Sequence, residues 1–302
     1  MLWHYIIGAS GISGAIAKYF GPRGIFGGGL TNNYVNTIDY VTIATTGNAT
    51  DFGDLTVERT GLAACSDGSR GIFGGGPENT TIDYVTIATT GNAIDFGDLT
   101  VARNFLAACS DGSRGVFGGG YGNKNYFTTI DYITIATTGN AIGFGDLTVF
   151  RNALAACSNG SRGLFGGGQL GTTQYNAIEY VTISITGNAT DFGDLTGNRA
   201  SLASCSDGNR GLFGGDNSIS NTIDYVTIAT TGNAIDFGDL TTSRYLLAAC
   251  SDGSRGVFGG GYSDPNTRVN TIDYVTIATT GNAVDFGDLT VTRGGLAGVS
   301  GT

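Results

Sequence analysis

Histidine is almost missing from this chain. His4 is the single one in 302 residues. That removes the commonest general base and metal ligand, and it leaves serine and cysteine without an imidazole partner across nearly the whole length. Proline is scarce, at 3, so the 53 glycines belong neither to a collagen-like chain nor to a proline-rich linker. Charge is sparse too: 13% of residues, with a net charge of −10. Such a surface repels polyanions, which excludes nucleic acid and argues against anionic membrane as partners. No helical period runs through residues 23–302.

What the sequence has is repetition. RGxFGGG, a variable gap, TIDYVTIATTGNAxDFGDLT, a short gap and LAACSDGS recur six times. The opening arginines are Arg23, Arg70, Arg114, Arg162, Arg210 and Arg255, spaced 44 to 48 residues apart. A period of that size built from strand-like pieces predicts an all-β, six-bladed propeller with four strands per blade, spanning residues 23–302. Each copy lacks a core of its own and must bury its faces on its neighbours.

In the second copy Gly71-Ile72-Phe73 reads as a buried strand ending in Gly74-Gly75-Gly76. Thr81 to Ile87, β-branched and aromatic, reads as the next strand, and Ala88 to Ala93 as a turn. Asp95 to Thr100 is expected outermost. Arg103 to Cys109, small and apolar, is expected to carry the innermost strand, and Ser110 to Ser113 a tight turn. Nearly all charges are repeat positions, so interstrand pairing of repeated Arg with repeated Asp accounts for most of them.

Phe73-Gly74-Gly75, Tyr84, Gly91-Asn92, Phe96 with Leu99, and Arg103 together resemble a kelch repeat. In this chain Phe stands where the kelch outer strand usually has Trp, and the inner strand lacks the usual His. The histidine ligands of copper-oxidase propellers of kelch type are therefore missing. The overall wording also resembles the low-complexity repeats of tail-fibre-like phage proteins.

Cys65, Cys109, Cys157, Cys205 and Cys250 hold one position per copy, and the sixth copy has Val299 there. A site that accepts valine is an apolar packing site, and an odd count forbids complete pairing. Five free thiols and assembly in a reducing cytoplasm follow. Neither metal nor cofactor is expected, and nor is catalysis, because a reaction centre is not sixfold repeated.

The last copy ends in a strand, Leu296 to Thr302, with no copy after it, while the first lacks a good inner strand. The C-terminal strand is expected to complete the first blade and close the ring. Gly14 to Lys18 competes less well for that slot, because it places Lys18 at the cysteine position. Residues 1–22 are then surplus and apolar, with Trp3, Tyr5, Ile6, Ile7 and Phe20. A membrane helix and a plug on its own ring are two readings. The preferred one is an attachment segment docking into a second subunit or a larger particle, since an exposed apolar strip is otherwise a liability.

Variation between copies falls in two windows. One follows FGGG, as in Pro77–Thr80 and Tyr121–Thr128; the other follows the second repeated arginine, as in Asn104-Phe105. They are alternate connections, so both belong to one face. Tyr34, Tyr121, Lys124, Tyr126, Tyr175, Tyr262 and Arg268 are the candidate binding residues there. Tyrosine offers a flat apolar surface with a hydroxyl, suited to a surface glycan or a protein receptor. The expected function is a structural and recognition protein of a virion or other extracellular assembly, such as a tail fibre or filament. A soluble protein-binding adaptor is the alternative.

Overall fold

A computed structural model describes residues 20–302 except positions 219, 265 and 266. Trp3, Tyr5, Ile6 and Ile7 lie outside the described residues. Six four-stranded antiparallel sheets stand around one axis, each meeting its neighbours through its innermost strand. In the second blade the order from axis to rim is Ala63–Ser66, Arg70–Gly74, Thr81–Thr86 and Ile94–Asp98. The innermost strand of the third blade is shorter than the sequence suggested. It spans Ala107–Ser110, and Arg103 lies ahead of it as a buried anchor.

The first blade takes its inner strand from the far end of the chain. Ala297–Gly301 pairs antiparallel with Arg23–Gly27, with Val299 opposite Ile25. The chain is thus an all-β, six-bladed propeller closed by its C-terminal strand. Outer edges are closed as well. The turn of the second blade lays its backbone on the rim of the first, Gly91 N–H on the Phe52 carbonyl and Ala93 N–H on that of Asp54. The Asn92 side chain accepts from the Asp54 N–H at 3.1 Å. No long unpaired rim strand remains on that blade.

A β-bulge between the third and outer strands recurs in every blade. In the second it skips Phe96, which buries its ring while Ile94 and Asp95 stay exposed. Hydrophobic cores sit between blades: Cys65, Ile72 and Phe96 pack with Phe117, Ile133 and Ile135 of the next blade. The close approach explains the glycine of each RG pair. A Cβ on Gly115 would lie 2.6 Å from the Cys65 sulfur, and one on Gly71 would lie 3.1 Å from Val299. All five cysteines are free and buried, and burial pushes the Cys109 thiol up to about 12.

Charge pairing follows two rules rather than one. The second arginine of each copy is buried and reaches an acid on the third strand of the blade it leads into, as in Arg59–Asp83 at 2.7 Å and Arg103–Asp131 at 2.9 Å. Thr56, at the end of the first blade, donates to the same Asp83. The first arginine of each copy has no acid partner among the described residues. Its guanidinium lies over a tyrosine, as Arg70 over Tyr84 at 5.0 Å, and donates to a carbonyl of the next blade.

Candidate binding face

The two variable windows do share one face, and they are bonded to each other. Asn104 and Tyr121 exchange both backbone hydrogen bonds, at 2.8 and 2.9 Å, and Tyr245 does the same with Tyr262. Leu30 pairs with Gly294 and Asn152 with Gln169 in the same manner.

At the centre of that face the chain forms a closed ring of six backbone hydrogen bonds. Phe105 donates to Gly61, Ala153 to Phe105, Ser201 to Ala153, Leu246 to Ser201, Gly295 to Leu246 and Gly61 to Gly295, at 2.6–2.8 Å. All six residues hold positive φ, between 52° and 69°. Main chain makes every bond, so the side chains are free to differ. Below lies a leucine collar from Leu62 to Leu296 around a small cavity of about 60 Å³.

The opposite pole is built from constant turns and a second closed ring. The hydroxyl of Ser110 donates to the Ser66 carbonyl, Ser158 to Ser110, and so on through Ser300 back to Ser66. Phe20 lies at this mouth of the axis, beside the cysteine and serine layers and against Gly253. Phe20 therefore sits at the pole away from the variable loops.

The candidate binding residues fall into separate groups. Tyr121 and Tyr126 pair across a short hairpin, ring centroids 4.9 Å apart, with Lys124 exposed at its tip. Tyr262 and Arg268 belong to another group, three blades away. Tyr262 stacks on Tyr245 at 5.2 Å, and Arg268 lies over it at 5.4 Å, its Nε donating to the Tyr262 hydroxyl. This stack buries Tyr262 to 8% exposure, so its ring packs within the loops. Burial, then the neighbouring Tyr262, raises the Tyr245 hydroxyl above its ordinary pKa. Tyr34 is 44% exposed on the first blade, and Tyr175 is half-buried on the fourth. The structure does not gather these seven residues into one site.

Two residues absent from the sequence-based set complete a recess of about 400 Å³ beside Tyr121 and Lys124: Glu78 and Asn104. Glu78 belongs to the variable window Pro77–Thr80 and Asn104 to the window Asn104-Phe105, and neither is aromatic or cationic like the candidates. Among the described residues no cluster of three or more His, Cys, Asp or Glu could hold a metal, and no helix is long and apolar enough to cross a membrane.

The fold defines a class, the six-bladed β-propeller. No protein-family model matches the chain, and no curated protein matches it.

Proposed function

We propose that this protein is a non-enzymatic recognition module attached by its N-terminal segment to a second copy or a larger particle. One observation carries the reading: Phe20 enters at one pole of the axis and the variable loops stand at the other. Attachment and presentation are then separated by the full height of a rigid ring. The scaffold between them is sixfold constant, with its repeated arginines held in buried pairs or over tyrosine rings. That division suits a tail fibre or filament of a virion or another extracellular assembly, made in a reducing cytoplasm where five buried thiols stay unpaired. The kelch resemblance of Phe73-Gly74-Gly75, Tyr84 and Arg103 points to the same use of a propeller as a binding platform.

Sedimentation of the full chain tests attachment. The native protein is expected to run as an assembly, and a variant carrying Trp3→Ser, Ile6→Asp and Ile7→Asp as the 30.8 kDa monomer. A native chain that is already monomeric would favour the soluble adaptor instead.

A further inference from the structure

Loop length around the variable face is uneven. The gap after FGGG is short in the second and fifth blades, at Pro77–Thr80 and Asn217–Asn221, and longer in the other four. A short loop between taller neighbours leaves a recess. At the fifth blade that recess is filled from within. Gln174 donates to Asp216 and Asn217, and Asn217 donates to Gln169 at 3.1 Å. At the second blade it stays open, at about 400 Å³, between Pro77 and Glu78 on one side and Tyr121 to Lys124 on the other.

The walls of the open recess are fixed. The double backbone bond between Asn104 and Tyr121 sets the carboxamide beside the ring. Gly122 packs against the Ala102 carbonyl so closely that no Cβ fits there. Glu78, Asn123 and Lys124 all hold positive φ, at 54°, 49° and 64°. Strain of this kind persists where surrounding structure enforces it, and it clusters at functional sites. Tyr126 backs the Tyr121 ring from outside the recess.

Three of its side chains keep polar groups open to a ligand. The Asn104 Oδ1 is buried without a hydrogen bond. Glu78 and Lys124 form no ion pair, with each other or with any described residue. An apolar occupant would leave these groups unsatisfied, at a cost for each. An anion would meet Glu78 and the net charge of −10, and a cation would meet Lys124. A neutral polyol with one apolar face satisfies all of them. Its hydroxyls donate to Asn104 and Glu78 and accept from Lys124, and its C–H face lies on Tyr121. The volume suits a ligand of one or two sugar rings.

We infer that the recess between the second and third blades is a binding site for a neutral pyranose, with Tyr121 as platform and Glu78, Asn104 and Lys124 as hydrogen-bonding groups. This deepens the proposed function, since it rests on the variable face being the presenting one.

Saturation-transfer NMR on the full chain, with D-glucose, D-galactose, D-mannose and N-acetyl-D-glucosamine offered separately, tests it. Ring-proton saturation is expected for at least one. Tyr121→Ala and Glu78→Ala should each weaken that sugar by about tenfold. Ile235→Thr, on a distant outer strand, should leave it unchanged. Glu78 is exposed on a loop, so its variant keeps the test valid where Tyr121→Ala unfolds. No saturation from any of the four sugars would overturn the inference. So would binding indifferent to both substitutions, or tighter binding of L-threonine as a zwitterionic probe. Sedimentation reports separately on attachment, so a sugar-blind assembly refutes the site and leaves the assembly reading standing.

Discussion

Arg293 and Asp39 meet 3.0 Å apart with neither side chain touching solvent, although most of the chain separates them in sequence. They bind the last copy to the first, as Arg59 and Asp83 bind the first to the second. Burial pulls the Arg293 guanidinium below its ordinary pKa, and Asp39 offsets part of that. A pair of this kind is expensive to break on one side, because a charge is left alone in a dry place. Asp39→Asn is therefore expected to lower stability by about 3–5 kcal/mol in urea unfolding. Glu179→Gln removes the looser partner of Arg151, at 3.4 Å, and should cost less. Equal and small losses at both positions would mean that these pairs do not hold the ring together.

The second prediction concerns the glycine under each sulfur. Gly115 is not at positive φ, so only space demands it. Gly115→Ala puts a methyl 2.6 Å from the Cys65 sulfur, and overpacking of this sort costs about 1–3 kcal/mol. Adding Cys65→Ala vacates the volume and should return much of that loss. A double-mutant cycle read by thermal unfolding measures the coupling. Strict additivity would show that the two residues do not touch.

Much of the fold was legible in the sequence because each feature had a local cause. The copies fixed the number of blades. Val299 in the cysteine column showed an apolar slot, and alternation of strand direction put both variable windows on one face. What was not legible depended on three dimensions. The partner of Arg103 is Asp131, on the third strand of its blade and directly opposite Phe117, whose carbonyl also accepts from Arg103. Residues 61, 105, 153, 201, 246 and 295 carry five different side chains, so sequence comparison marks them as drifting. Their main chains nonetheless close a ring of six hydrogen bonds at 2.6–2.8 Å. The recess was hidden for a similar reason: Glu78 and Asn104 come from different windows, and the double backbone bridge sets Asn104 beside Tyr121 on the cavity that Glu78 lines from the neighbouring loop.

The thiols give a pH prediction. In the folded chain burial raises Cys109 from the ordinary 9.0 to about 12, and it also raises Cys65, Cys157 and Cys250. In the unfolded chain each thiol ionises near 9.0. Below that value both states hold the proton and the thiols contribute no slope. Between about 9 and 12 only the folded state holds the Cys109 proton, so unfolding releases it and stability falls as pH rises, by about 1.4 kcal/mol per unit; the other raised thiols act in the same direction. Unfolded tyrosines add to the same trend, so the informative quantity is a difference. A variant with valine at all five cysteines, as Val299 already stands in the sixth copy, should lose stability less steeply between about pH 9 and pH 10.5, the lower half of that window. Urea midpoints at the two ends measure it. Parallel declines in the two proteins would place the sulfurs in contact with water and remove them from the cores between blades.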